Sequence, residues 1–348
     1  MKTVISAILF MTSLLTATAK AEESSGPPAC KDDQILIASG DEKSTYTKIV
    51  KDIIAFCPMV CEYQQTRGGA DNIDLLLKKT VEAGMVPIDV AEFMKRGDER
   101  VGKLRSLVSL NGQAMHIIVA ANGVAPPKGK SGIFNLGKSP DKNGSIKTLN
   151  DLKGRKVAAW SSGVVSARMV DERLKLGLDI VEAEKREEGL AAVKDGSIAA
   201  LIVMGANPME WIETLDRNIY SLADVDASDI TKLGNPYYQS KMTYKKLGLI
   251  SGINVITTKN EIFVRDIGGE QGQQLIALRN CIQDNLKEIG DRRGSHASWV
   301  DVTQVKDTTW TRYEGKDSAK TSQTSEPEPA VKPEAATKAT SKNGTVRS

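Results

Sequence analysis

The chain carries one stretch with the spacing of a phosphate-binding loop, Gly132-Ile-Phe-Asn-Leu-Gly137-Lys138-Ser139, which satisfies G-x-x-x-x-G-K-[ST]. Such a loop holds phosphates when it leaves a buried strand and opens a helix whose free N–H groups face the anion. Here Pro126 and Pro127 precede it, and Pro140 and Asn143-Gly144 follow. No apolar strand ending in Asp comes later to hold magnesium. The stretch reads as a lysine-rich loop. The two histidines, His116 and His296, leave little material for a triad or a metal hydrolase, and His116 sits in an apolar run. No carboxylate pair falls into a pattern that a cleft would bring together. The sequence therefore points away from an enzyme and implies no cofactor.

The four cysteines, Cys30, Cys57, Cys61 and Cys281, are the remaining reactive groups. Cys57-x-x-x-Cys61 has no second thiol pair at metal-ligand spacing, so no metal site is expected. An even cysteine count suits disulfides in an exported protein. The N-terminus fits export. Lys2 precedes an apolar run from Val4 to Leu15, and Ala19-x-Ala21 is a signal-peptidase pattern. The run is about a dozen residues, whereas a membrane span needs roughly 20. Residues 1–21 are expected to be a signal peptide cleaved after Ala21, giving a periplasmic or secreted product. At the other end, Val331 and Val346 are the only aliphatics larger than Ala between Gly315 and Ser348. Residues 315–348 are expected to be a disordered tail, because they cannot bury enough apolar surface to offset ordering entropy.

Between these ends lie roughly 290 residues, more than a single core usually organises. The formal charge is +3, with no basic stripe interleaved with aromatics. Nucleic acid is therefore not an expected partner. Strand and helix patterns alternate. Gln34 to Ser39 reads as a buried strand. Ser44 or Thr45 caps a helix whose apolar face is Tyr46, Ile49, Val50, Ile53, Ile54 and Cys57, and Pro58 ends it. Strands follow at Val60–Thr66, Gly84–Ile88, Leu104–Leu110 and Met115–Ala121, the last two separated by Asn111-Gly112. Residues 122–145, rich in Gly, Pro and Lys, form a long loop. The alternation then restarts, with strands at Lys156–Trp160 and Ile198–Met204 and a helix opening at Gly205–Pro208 and running to Leu215. This is an α/β pattern with largely parallel strands, repeated once on each side of the loop.

Six segments, in order, carry a family resemblance. They are Ile35-Leu-Ile-Ala-Ser-Gly40 with Ser44-Thr45-Tyr46; Thr66-Arg-Gly68-Gly-Ala-Asp-Asn72; Val86-Pro-Ile-Asp89-Val90; Leu149-Asn-Asp151-Leu-Lys-Gly154-Arg-Lys-Val157; Met204-Gly205-Ala-Asn-Pro208; and Asn235-Pro-Tyr237-Tyr238 with Tyr244. Over roughly Gln34 to Trp299 the chain resembles the TAXI family of solute-binding proteins, the receptors of TRAP transporters. That resemblance implies a two-lobed type II periplasmic binding protein fold with a hinged central cleft. Lobe 1 would comprise 31–121 plus 253–302. Lobe 2 would comprise 122–252, with the Gly/Pro/Lys-rich insertion at 122–145. It further implies a monomer that captures a small organic anion or amino acid and delivers it to an integral-membrane TRAP transporter subunit. Two turns depart from the family. Trp160-Ser161-Ser162-Gly163-Val164-Val165 stands where the family usually has Gly-Ser-Gly-Thr, and Asp41-Glu42-Lys43 replaces paired glycines. The other reading is accordingly a degenerate binding-protein fold acting as a periplasmic sensor or scaffold without transport.

The site implied by the fold lies outside the carboxyl ends of the strands, where helices starting near Ser44 and Ser162 would present free N–H groups to an anion. Expected ligand contacts are Ser44, Thr45, Tyr46, Asn72, Ser161, Ser162, Gly205 and Pro208. Arg67 is either a fork for a carboxylate or a surface arginine. Trp160 either stacks on a ligand or packs between lobes, and Asp89 either pairs a ligand amine or caps the next helix. In this fold the helical run Gln271–Ile289 returns to lobe 1. The expected disulfides are therefore Cys57–Cys61, across the turn that Pro58 forces, and Cys30–Cys281.

Overall fold

The structure, a computed structural model, describes residues 30–31, 33–123, 144–302 and 308–316. The expected signal segment, the Gly132–Ser139 loop and most of the expected tail lie outside the described residues.

The first half-sheet is built from β1 (Ile35–Ala38), β2 (Val60–Gln64) and β3 (Ala83–Pro87), with β1 in the middle and all three parallel. The connecting helices are α1 (Thr45–Phe56), α2 (Gly69–Leu77) and α3 (Ile88–Lys95). α1 starts where the sequence places it. The Ser44 side chain accepts the Thr47 N–H, and Tyr46, Ile49, Val50 and Ile53 bury one stripe against β1 and β3. After β4 (Arg105–Ala120) the motif repeats: β5 (Lys156–Trp160), α4 (Gly163–Leu174), β6 (Asp179–Ala183), α5 (Arg186–Asp195) and β7 (Ala200–Gly205), with β5 parallel to both neighbours. β8 (Tyr220–Leu222), α6 (Ala227–Leu233), β9 (Tyr238–Tyr244), β10 (Leu249–Val264), α7 (Gly269–Asp284) and α8 (Leu286–Asp291) complete the described elements.

Among the described residues the strands form one sheet in the order β2-β1-β3-β10-β4-β7-β5-β6, with β8 on β4 and β9 on β10. β4 and β10, 16 residues each, run antiparallel through the whole molecule. Their ends nearer β3 join the first half-sheet, and their other ends pair with β7, β8 and β9. The result is a mixed α/β fold of two lobes joined by two shared strands.

β4 differs from its sequence reading. Asn111-Gly112 looks like a turn between two strands, but β4 runs on through both: β10 pairs with Lys259 opposite Gly112 and Thr258 opposite Gln113, shifts register by one residue at Leu110–Asn111, and resumes with Glu261 opposite Ser109. The glycine is needed for close approach. A Cβ there would sit 2.6 Å from the Tyr238 hydroxyl oxygen and 2.8 Å from the Thr257 methyl. The helix expected from Gly205 to Leu215 is also absent, and only Ile212–Thr214 makes a 3-10 turn. Conversely, residues 311–313, which the sequence pattern left unassigned, cover the open edge of β4. Ser106 N–H donates to Thr311 O and Tyr313 N–H to Ser106 O, each at 2.9 Å, and the Tyr313 ring is fully buried.

The cysteines pair otherwise than expected. The bridges are Cys30–Cys61 and Cys57–Cys281, each with Cα atoms 5.8 Å apart. The expected Cys57–Cys61 link fails because of side-chain direction. Val60 and Cys61 are strand neighbours and face opposite sides of β2. Val60 shares a core with Cys57 and the α7 residues Leu275, Leu278 and Ile282, whereas Cys61 packs on the other face with Cys30. β1 lies beside β2, which brings Cys30, just ahead of β1, next to Cys61.

His116 is buried on β4, with Nε2 2.8 Å from the Tyr244 hydroxyl and Nδ1 3.0 Å from the Ala114 carbonyl oxygen. Burial holds its pKa down at about 4, against 6.5 for the free side chain. The unfolded chain therefore binds the proton first as pH falls. The contribution of His116 is complete above pH 6.5 and is lost between 6.5 and about 4, worth about 3 kcal/mol. Urea unfolding at pH 7 and pH 4 should show this loss, and His116→Gln should flatten it. An unchanged pH slope in the variant would contradict the assignment.

Candidate functional site

The carboxyl ends of β1 and β5 face each other across the shared strands, and the turns that follow them line one cavity of about 50 Å³. From the first lobe come Gly40, Ser44, Thr45, Tyr46, Arg67 and Gly68. From the second come Trp160, Ser161, Ser162, Met204, Gly205 and, beyond β7, Met209 and Trp211. Gln113 on β4 contributes between them. A wider recess of about 400 Å³ opens alongside, lined by Asp41, Thr66, Arg67, Trp160, Ser161, Glu182 and Glu184.

The polar supply is asymmetric. The first N–H groups of α1 have no partner within the helix, and the Ser44 hydroxyl takes only that of Thr47. Lys43 and Arg186 also line the cavity, against a single carboxylate, Asp41. The Arg186 guanidinium lies 4.6 Å from the Trp211 ring centroid and is paired with Glu187. Gln113 is 1% exposed, and its Nε2 finds no hydrogen-bond partner. A buried amide donor left unpaired on a cavity wall is costly unless something enters to accept from it. Tyr46 is also buried, which pushes its hydroxyl pKa well up, so it stays protonated. Ser161 adopts φ +58°, a left-handed conformation of the kind that gathers at ligand sites.

The lobes are closed on each other. Gly69 N–H, in the first turn of α2, donates to the Ser162 hydroxyl at 3.2 Å, and the Ser161 hydroxyl donates to the Arg67 carbonyl. Further along the seam the Asp89 carboxylate accepts from the Ser166 hydroxyl at 2.5 Å and the Tyr237 hydroxyl at 3.0 Å. Lys48–Glu210 and Arg96–Glu172 bridge the exposed rim, and the half-buried pair Arg173–Glu92 lies inside it.

Of the residues singled out in the sequence, Ser44, Thr45, Tyr46, Arg67, Trp160, Ser161, Ser162 and Gly205 meet at the cavity. Arg67 lines it while its guanidinium forks onto Asp71, at 3.1 Å through both Nε and Nη2. Asn72, Asp89 and Pro208 are not on its wall. The Asn72 amide donates to the Ser39 and Met85 carbonyls at 2.7 Å each and accepts from Thr66, tying the ends of β1 and β3 together. Asp89 is buried in the lobe seam and also accepts the Val90 N–H at 2.9 Å. Burial raises its carboxyl pKa, the hydroxyls of Ser166 and Tyr237 opposing this. Because the folded chain holds the Asp89 proton more tightly, this group disfavours the closed fold as pH rises above 3.8. Gln113, Met204, Met209, Arg186 and Trp211 are cavity residues the sequence reading passed over. Gln113 had a signal: Asn111 and Gln113 are amides at alternate positions inside a buried apolar strand, where polar groups need partners.

Among the described residues no group of His, Cys, Asp and Glu is placed to hold a metal ion, and no helix is long and apolar enough to cross a membrane. No protein-family model matches the chain, and no curated protein does. Similar solved structures include a putative L-cystine ABC transporter protein from Listeria monocytogenes, at 12% identity and TM-score 0.45, covering 76% of this chain and 97% of that one. The arginine-bound form of a truncated ArgBP from T. maritima aligns at 13% identity and TM-score 0.43, covering 72% of this chain and 96% of the truncated one. A probable amino-acid ABC transporter extracellular-binding protein from Bacillus subtilis aligns at 12% identity and TM-score 0.43, covering 74% and 95%.

Proposed function

We propose that this protein is an exported solute receptor, a monomer that encloses a small organic anion or amino acid between its lobes and delivers it to a membrane transporter subunit. The transporter we assign is of the TRAP type, on the resemblance of the six ordered segments to TAXI receptors. The lobes follow the expected division, 31–121 with 253–302 against 122–252, except that a bending point inside β4 and β10 near Gly112 and Lys259 moves the ends of these strands, with Met115, Ile117 and Ile256, into lobe 2. The observation that carries the reading is Gln113. A buried, unpaired amide donor faces the cavity on which the α1 N-terminus and the Ser161–Ser162 turn converge. Together they offer donors to an anion from three directions. Closure over a ligand would be a hinge motion, driven by contacts that exist only in the closed state.

Thermal unfolding with a panel of small carboxylic acids and amino acids tests this. A ligand at a hundredfold excess over its Kd should stabilise by about 2.7 kcal/mol. Ser162→Asp, which puts a carboxylate against the anion, should remove the effect. A shift that survives in Ser162→Asp sinks the placement.

One observation favours a second reading, the sensor or scaffold without transport. The cavity is about 50 Å³, and Ser162 already occupies the Gly69 N–H that a ligand would otherwise take. On that reading the closed form is self-sufficient, and no acid in the panel changes the unfolding temperature.

A further inference from the structure

The floor of the cleft is the stretch of β4 and β10 lying between the two lobes. Register places it. Asn260 is level with Pro87, the last residue of β3, and Ala114 is level with Gly205, the last residue of β7. One face of these two strands is apolar at both ends: Val108 and Ile262 belong to the first-lobe core, and Met115, Ile117 and Ile256 to the second. Between them the face turns polar. Gln113 stands opposite Thr258, and Asn111 and Asn260 lie two residues further toward lobe 1 on their strands. All four are at most 1% exposed. Each has a buried polar atom with no partner: Asn111 Oδ1, Gln113 Nε2, Thr258 Oγ1, and both Nδ2 and Oδ1 of Asn260. Apolar residues would fill this face at no such cost, as they do on both sides of it. Of the four, Gln113 is on the cavity wall, and Thr258 and Asn260 stand beside and behind it on the same face; unsatisfied atoms that reach the cavity through Gln113 mark a position that a polar guest can complete.

The chemistry of the four limits the guest. They carry no charge, so they do not call for a second carboxylate or an ammonium group. They present donors and acceptors side by side, which suits a group that does both. Resting on the anion-receptor reading above, we infer that the ligand is a hydroxy acid: its carboxylate meets the α1 and Ser162 turns, and its hydroxyl inserts toward Gln113, Thr258 and Asn260 on the cleft floor. A site with unpaired buried groups rejects the analogue that lacks the matching hydroxyl.

Calorimetric titration of the intact mature protein with matched pairs tests the inference: lactate against propionate, and malate against succinate. The hydroxy acid of at least one pair should bind at least about tenfold tighter than its partner. Asn260→Leu and Thr258→Val, which keep side-chain volume and remove the polar atoms, should each shrink that ratio toward one while leaving the plain acid's affinity in place. Either variant suffices if the other fails to fold. Equal affinities within every pair in the native protein overturn the hydroxyl assignment and leave the anion receptor standing. A ratio that persists in both variants also overturns it, because the hydroxyl is then read elsewhere. Failure of every acid to bind overturns both readings.

Discussion

Replacing Cys57 and Cys281 together by serine is expected to remove about 5 kcal/mol of unfolding free energy. This bridge closes a separation of 224 residues, from the end of α1 to the last turn of α7. In the chain-entropy description the constraint on the unfolded chain grows with the logarithm of loop length, so the Cys30–Cys61 bridge, with a separation of 31, should contribute about 4 kcal/mol. The long bridge has a second effect. Residues 253–302 reach the first lobe only after the chain has passed through the second, and Cys57–Cys281 fixes α7 onto α1 in a core that includes Ile53, Leu278 and Ile282. Native domains hold only about 5–15 kcal/mol in total, so the double variant should lose a large share of its stability. Denaturant titration of the two paired-serine variants decides it. The long-bridge variant should be the less stable, and the reverse order would contradict this account of the first lobe.

Gly68→Ala should have the second-largest effect, about 3 kcal/mol, together with a partly open molecule. Gly68 has φ +129° and ψ −159°, a region essentially confined to glycine, and holding another residue there costs about 1–3 kcal/mol. The added Cβ would also lie 2.8 Å from the Ser162 hydroxyl oxygen and 2.9 Å from that of Ser161. Neither hydroxyl is free to swing away. One accepts from Gly69 N–H and the other donates to the Arg67 carbonyl, and both bonds join the two lobes. Moving them breaks the contact that closes the cleft, at about 1 kcal/mol per bond. Small-angle scattering should record a larger radius of gyration for Gly68→Ala than for the native protein. An unchanged radius with unchanged stability would show that the 67–69 and 161–162 turns do not hold the lobes together.

The α/β alternation and the cap at Ser44 were legible because they are local: a polar cap before an apolar stripe, and short β-branched runs ended by glycine. The cleft turns at Ser44–Tyr46 and Ser161–Ser162 were legible for the same reason, since each sits where a strand ends and a helix begins. What was not legible depends on partners distant in sequence. Asn111-Gly112 has the local form of a turn and becomes continuous strand because β10, some 150 residues later, pairs across it. The cysteine pairing was misread because spacing along the chain says nothing about which face of β2 a side chain takes. Asn72 and Asp89 look like ligand groups in sequence. Their hydrogen bonds show that one ties β1 to β3 and the other joins the lobes. For Gln113 the sequence offers only the alternation of amides with Asn111 in an apolar run; that its Nε2 lacks a partner depends on the distant elements packed around it.

The most direct test of the central claim is a crystal structure of the mature protein grown with the acid that gives the largest thermal shift. That acid should lie inside the cleft, with its carboxylate against the first turn of α1 and the Ser162 turn and another polar group, the hydroxyl of a hydroxy acid, within hydrogen-bond reach of Gln113 Nε2, at roughly 2.7–3.2 Å. An acid bound outside the cleft, with Ser162 still on the Gly69 N–H and Gln113 still unpaired, would contradict it.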